Sequence, residues 1–281
     1  MPLEYLWLLP LGFVIGAFGT VIGAGGGFIL VPILLLLYPH ENTELITSIS
    51  LAVVFLNALS GSFAYSLMKR IDYKSGIIFS IATIPGAVLG ALATPYVPRR
   101  TFDLLFGILM VLASALLWFA AEQSHSFNLY RNRDQSLGKR HSRMTLRTLI
   151  DVDGARYEYE YNPVLGIAVS LCVGFLSSLL GIGGGFIHVP AMARLLDFPV
   201  HVATATSQFV LVITALTGTA VHILQGVFVH GLRRTAILGV GVIVGAQVGA
   251  WISARVGGKM IIRGLAVALV LVGLRLIISE F

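Results

Sequence analysis

Eight apolar segments run along the chain, approximately 6–37, 45–68, 76–97, 104–121, 164–196, 203–224, 235–254 and 261–278, and they leave few folds open. Most are roughly 18–24 residues, the length an α-helix needs to cross a hydrocarbon core of about 30 Å. None contains Asp or Glu, as expected where an anion left in lipid costs several kcal/mol. Only 11% of the 281 residues are charged and 57% are hydrophobic, whereas a soluble domain carries about 25% charge. The expected class is therefore an all-α polytopic membrane protein. The net charge of +6 sits mostly in short loops and one hydrophilic stretch, where positive-inside topology accounts for it without nucleic acid as a partner. The first apolar stretch has no basic leader and no small-residue cleavage site, so it reads as part of the membrane domain.

The first and fifth segments are longer than the rest. As a single straight helix each would run to roughly 50 Å. Both are interrupted by glycines and then by a proline, where a helix is expected to break. They are also copies of one another. Gly23-Ala24-Gly25-Gly26-Gly27-Phe28-Ile29-Leu30-Val31-Pro32 matches Gly181-Ile182-Gly183-Gly184-Gly185-Phe186-Ile187-His188-Val189-Pro190 at all but two positions. The register continues: Thr47, Ser50, Asn57, Ala58 and Gly61 fall opposite Thr204, Ser207, Thr214, Ala215 and Gly218. Gly86, Ala87, Gly90 and Ala91 fall opposite Gly245, Ala246, Gly249 and Ala250. The chain reads as two homologous four-segment repeats, 1–123 and 162–281, joined by a hydrophilic linker, 124–161.

From Ser124 to Ser142 the linker reads as flexible. Thr145 to Ile150 and the alternating Ala155 to Tyr161 then flank Asp151-Val152-Asp153-Gly154, a pattern that predicts a small soluble β-hairpin. It lies outside both repeats, which makes assembly or regulation its expected role, and transport is expected to survive its deletion. Loop charges do not decide how the repeats are oriented, because two successive loops in each half are basic. Matching glycine-broken segments recur in inverted-repeat transporters, and inversion is the arrangement expected here.

The glycine runs are the most informative candidates for chemistry. Gly25, Gly26 and Gly27, with Gly183, Gly184 and Gly185, let the backbone leave the helix and present N–H groups to a ligand, and N–H groups at a helix end suit an anion. The alternative for such glycines is close helix packing. Thr47, Ser50, Asn57 and Gly61 are spaced by 3, 7 and 4, as are Thr204, Ser207, Thr214 and Gly218, which puts each set on one helical face. With Gln208 these neutral donors can bind an anion without a counter-charge, or they can join helices to one another. His188 replaces Leu30 of the first copy and His222 replaces Tyr65, so both are candidate proton or anion contacts beside a packing role. Histidines and arginines without embedded carboxylates point to an anionic substrate. No His-Glu-x-x-His, Gly-x-Ser-x-Gly, P-loop or cysteine cluster is present, so an enzyme is not expected and no metal or cofactor is implied.

The duplicated Gly-x-Gly-Gly-Gly-Phe-Ile-x-Val-Pro, the polar helix after it and the Gly-Ala-x-x-Gly-Ala segment resemble the sulfite exporter TauE/SafE family, also called the toluene sulfonate uptake permease family. The resemblance covers both halves, and the linker is longer than the family pattern. It implies a plasma-membrane secondary transporter, bacterial or archaeal, for sulfite, sulfoacetate or another organosulfonate, with proton linkage left open. The implied partners are a small anionic substrate and the lipid bilayer, and a homodimer is compatible with it. An anion channel would use the same residues without alternation, whereas a non-transporting membrane scaffold would leave the paired glycine breaks unexplained.

Overall fold

The computed structural model describes residues 6–123, 144–256 and 258–279. Among them are the helices α1 (Leu8–Ile22), α2 (Gly27–Leu37), α3 (Thr43–Leu67), α4 (Tyr73–Ala93) and α5 (Arg99–Gln123). After the strands β1 (Thr145–Ile150) and β2 (Arg156–Tyr161) follow α6 (Pro163–Leu180), α7 (Gly185–Leu195), α8 (Val200–Leu224), α9 (Leu232–Ser253) and α10 (Gly258–Ser279). Five are long and apolar enough to cross a membrane: α3, α4 with the short turn that extends it to Tyr96, α6, α8 and α9. The part of the linker read as flexible, Ser124 to Ser142, lies outside the described residues.

Glycine, not proline, breaks the two long segments. Gly23, Gly25 and Gly26 have φ of 77°, 73° and 79°, and Gly181, Gly183 and Gly184 have φ of 72°, 83° and 81°, left-handed values that a residue with a Cβ adopts only at a cost. Pro32 and Pro190 lie inside α2 and α7, against the expectation that they help to end the helix. Each is the sixth residue of its helix, so its missing N–H removes one bond to the first turn and leaves the rest intact. The break also reverses the chain. A Cβ at Gly26 would stand 2.6 Å from Ile15 Cγ2, and one at Gly184 would stand 2.8 Å from Val173 Cγ1, so α2 and α7 start by doubling back along α1 and α6.

Helix directions follow from residue pairs. Gly12 and Gly16 of α1 meet Leu238 and Val242 of α9, so those helices run parallel; Gly86 and Gly90 of α4 meet Leu171 and Phe175 of α6 in the same sense. At both seams the glycines let backbones touch: a Cβ at Gly90 or Gly249 would run into the carbonyl of Phe175 or Ala17. α3 and α8 cross antiparallel, Gly61 meeting Gln208 and Gly218 meeting Leu51. α5 and α10 are antiparallel too, with Ser114 Oγ donating to Ala266 O at 2.9 Å while Gly273 lies against Gly107.

The hairpin forms with Thr145 opposite Tyr161 and Ile150 opposite Arg156. It does not stand apart from the helices. Arg70, in the α3–α4 turn, reaches Asp151 Oδ2 through Nε at 3.3 Å and Nη2 at 3.2 Å, and both residues are buried. Val152 N–H donates to Met68 O at 3.1 Å, and Tyr159 OH donates to Asp72 Oδ2 at 2.8 Å. Tyr159 and Tyr161 pack on Phe198, in the α7–α8 loop, with centroids 4.4 Å and 5.1 Å away.

Candidate functional site

The two glycine turns lie against each other in the interior. A Cβ at Gly27 would stand 2.7 Å from the carbonyl carbon of Ile182, and one at Gly185 would stand 2.7 Å from Ala24 Cα. Val54 of α3 and Leu211 of α8, equivalent in the repeat register, fill the space between Gly25 and Gly183. Within each turn the chain binds its own helix end: Ala24 and Gly25 N–H donate to Gly19 O at 2.8 Å and 3.2 Å, and Ile182 N–H donates to Ser177 O at 3.0 Å. The first bonds inside α2 and α7 are Ile29 N–H to Gly26 O and Ile187 N–H to Gly184 O, both 3.1 Å. The N–H groups of Gly26, Gly27 and Phe28, and of Gly184, Gly185 and Phe186, therefore sit at the open helix ends, where the macrodipole is positive.

Each turn is held by the polar helix of the other half. Ser50 Oγ donates to Gly181 O at 2.6 Å, and Ser207 Oγ donates to Gly23 O at 3.3 Å. Thr47 and Thr204 lean their methyl groups on Gly181 and Gly23, with both hydroxyls buried and unpartnered. The expected stripes thus divide by role. Ser50 and Ser207 commit their one proton to a turn carbonyl, which leaves them only acceptor capacity toward an anion. Thr214 hydrogen-bonds Thr83 Oγ1 at 2.9 Å and Val210 O at 3.0 Å. Asn57 and Gln208 converge on Thr20 at the end of α1, at 2.8 Å and 3.2 Å. Every one of these polar side chains is buried.

Several residues that the repeat comparison did not single out belong to the same region. Thr20 joins the two amides, Tyr65 OH donates to Thr20 O at 2.8 Å, and Thr83 supports Thr214. Ser178 occupies in the second copy the place of Thr20, two residues before the turn closes, and that shared spacing was the available signal. The histidines differ from one another. His188 packs edge-on to Phe79 with its Nε2 3.2 Å from Ser170 Oγ, while neither ring nitrogen of the buried His222 has a partner. Among the buried side-chain atoms without partners are also Asn57 Nδ2, Gln208 Oε1, Ser177 Oγ and Ser178 Oγ. Buried polar atoms are nearly always paired, so unpartnered atoms such as these are unusual in a folded interior.

The loops at the two ends of α3 and α8 are treated differently. Where the α3–α4 turn meets the α7–α8 loop, the hairpin covers both. Burial works against the charge of Asp151, yet the Ala155 and Asp153 N–H groups and the Arg70 guanidinium together hold its carboxyl below the ordinary range. At the opposite end, Glu41, Asn42, Glu44, Leu45, Gln225, Gly226 and Val227 line an open cavity of about 580 Å³. Arg234 donates to Glu41 there at 2.9 Å and lies over the Tyr38 ring.

Comparison with known proteins assigns a context to this geometry. The family model described as sulfite exporter TauE/SafE matches residues 8–276. The probable membrane transporter protein YunE of Bacillus subtilis is 34% identical over 281 residues, covering 98% of each chain. A probable membrane transporter protein of Methanocaldococcus jannaschii is 29% identical over 224 residues, covering 76% of this chain and 72% of its own. YdhB, another probable membrane transporter protein of Bacillus subtilis, is 28% identical and covers 85% of this chain and 86% of its own. No solved structure matches the chain.

Proposed function

The chain belongs to the sulfite exporter TauE/SafE family of membrane transporters, and from that premise we propose that it is a secondary transporter carrying a small sulfur-containing anion, sulfite, sulfoacetate or another organosulfonate, across the plasma membrane. The observation that carries the reading is the pair of glycine turns: two open helix N-termini meet in the interior, beside buried hydroxyls and amides and, among the described residues, no carboxylate. Backbone N–H groups at such ends stabilise an anion by direct hydrogen bonds and by the helix dipole, without a fixed cation that would hold it too tightly to release. His222 is the histidine placed to add a proton or an anion contact, because both of its ring nitrogens are unpartnered.

In this reading the two halves are inverted repeats. The equivalent helices α3 and α8 cross antiparallel, as do α5 and α10, and α1 lies along α9 in the way that α6 lies along α4. A two-fold axis in the membrane plane would produce that pattern, with the first segment of each half turning back on itself.

The test is a thermal-unfolding screen of the purified protein against sulfite, sulfate, sulfoacetate and carboxylates of matching size, repeated on Gly26→Val and Gly184→Val. A ligand at a hundred times its Kd adds about 2.7 kcal/mol of apparent stability. Sulfite or a sulfonate should raise the unfolding temperature of the parent, and the side chain added in either variant, driven against Ile15 or Val173 at a left-handed position, should distort the turn and abolish that shift. No shift with any sulfur anion sinks the substrate reading. Equal shifts in the folded variants would move the site away from the turns.

A further inference from the structure

Just below the first glycine turn, three buried side chains form a hydrogen-bonded chain that cannot satisfy itself. Thr20 Oγ1 donates to Asn57 Oδ1 at 2.8 Å and accepts from Gln208 Nε2 at 3.2 Å, and all three residues are closed to solvent. Asn57 Nδ2 and Gln208 Oε1 are left without partners. This imbalance survives turning both amides together, and turning either one alone still leaves a carbonyl without a donor. A hydroxyl has one proton, so one of its amide contacts is given to a carbonyl and the other is received from an NH₂. The amide that lends its carbonyl keeps an NH₂ to offer, and the other keeps a carbonyl to fill.

Gly61 keeps the cluster in place, since a Cβ there would stand 2.6 Å from Gln208 Nε2 and 3.0 Å from Thr20 Cγ2. The arrangement exists once. In the repeat register Thr20, Asn57 and Gln208 correspond to Ser178, Thr214 and Leu51, which cannot form it. It also borders the first turn from two directions, because Thr20 O accepts from Gly23 N–H at 3.0 Å while Ser207, next to Gln208, holds Gly23 O.

We infer that the Thr20–Asn57–Gln208 cluster reads a hydrogen-bond donor on the transported anion, so that the site prefers a sulfur oxyanion carrying an O–H or N–H over one with acceptor atoms alone. The inference rests on the sulfur-anion reading above. An anion with acceptors only satisfies the free NH₂ but sets its oxygens against the free carbonyl, which stays buried and unpaired. An anion that also carries a donor satisfies both, one end at the glycine turn and the other at the amides.

Calorimetric titration of the purified protein with ethanesulfonate, 2-hydroxyethanesulfonate and 2-aminoethanesulfonate tests this. The two donor-bearing ligands should bind about ten-fold more tightly or better, the factor that one unpaired buried carbonyl is worth. Gln208→Leu carries the residue found at the matched position 51, and Gln208→Met keeps the length of the side chain. In either, Thr20 can give its proton to Asn57 Oδ1, only an NH₂ remains free, and the preference should vanish while ethanesulfonate binds at least as well. Equal affinities in the parent overturn the inference, with a water bridging the amides instead, and leave the anion reading standing. A preference that persists in both folded variants overturns it too, and binding of none of the three removes the sulfonate reading and this inference together.

Discussion

Replacing Arg70 with Met removes the charge that pins the hairpin to the helices while keeping most of the side-chain volume. The loss can be counted from the contacts. Asp151 Oδ1 keeps its bonds from Asp153 and Ala155 N–H at 3.0 Å and 2.9 Å, so only Oδ2 is stripped, retaining Tyr157 OH at 3.4 Å. The contact to Asp153 adds little, because that side chain is 73% exposed. A net hydrogen bond to a charged group is worth about 1.5–3 kcal/mol, and leaving the buried Asp151 without its cation puts the cost toward the upper end, about 2–3 kcal/mol.

That cost falls on docking, not on the whole fold. A lone two-stranded hairpin is barely stable in water, so β1 and β2 should lose their amide protection whenever they leave the helices. Amide hydrogen exchange in Arg70→Met should accelerate about 30- to 150-fold in β1 and β2, with the amides of α3 and α8 unchanged. Unchanged exchange in the strands would show that the aromatic contacts to Phe198 alone hold the hairpin and that the ion pair contributes nothing. The same contacts tie the hairpin to the helices: its removal would uncover Arg70, Asp72 and Phe198 together.

Docking should also depend on acidity. Asp151 is held below its ordinary value of 3.8, so its contribution is complete above that value and is lost as pH falls through the lowered one; strand exchange, corrected for intrinsic rates, should rise only below about pH 3.8, and a rise already at pH 6 would refute the assignment. Burial and then the neighbouring Asp72 carboxylate raise the Tyr159 phenol, whose contribution is complete below the ordinary 10 and declines above it. Gly90→Ala and Gly249→Ala place a methyl against the carbonyls of Phe175 and Ala17 and should each cost about 1–3 kcal/mol or more, seen as a lower unfolding temperature with anion affinity retained in the folded fraction. An unchanged unfolding temperature would refute the close-packed seams.

The hydrophobic period and the glycine runs made most of this fold legible. Helix positions follow from apolar length, and the hairpin follows from the Arg-Tyr-Glu-Tyr-Glu-Tyr alternation after Asp151-Val152-Asp153-Gly154. Three things were not legible, each for a reason. Pro32 and Pro190 were expected to help break their helices, but a proline six residues in costs one bond that the interior tolerates. Ser50 and Ser207 read either as ligand contacts or as joints between helices, and the sequence does not reveal that a turn carbonyl of the other half lies within 2.6 Å and 3.3 Å. Thr20 was invisible because its role depends on Gln208, 188 positions away, which only the crossing of α1 and α8 brings near.

The hairpin accounts for the largest difference between the two ends of the molecule. Beneath it the chain is nearly symmetric in detail: Lys69 and Gly226, at matched positions in the α3–α4 and α8–α9 turns, both take the left-handed conformation, with φ of 55° and 78°. The turn that carries Lys69 is sealed by Asp151, Asp153 and Val152, whereas the turn that carries Gly226 borders an open cavity. Lys69 pays the left-handed strain that Gly226 escapes, and the residue after it, Arg70, is the one that receives the hairpin, where the matched Val227 offers no charge. The end near Gly226 carries the Glu41–Arg234 pair, the Arg234–Tyr38 ring contact and the Arg99 bonds to the carbonyls of Glu41 and Leu35. Opening the other end must break a buried ion pair, the Tyr159–Asp72 bond and the aromatic stack on Phe198 at once. Glycine turns that are alike in conformation therefore lie in a molecule whose two ends are unlike, and the difference lies in the hairpin that docks at one of them.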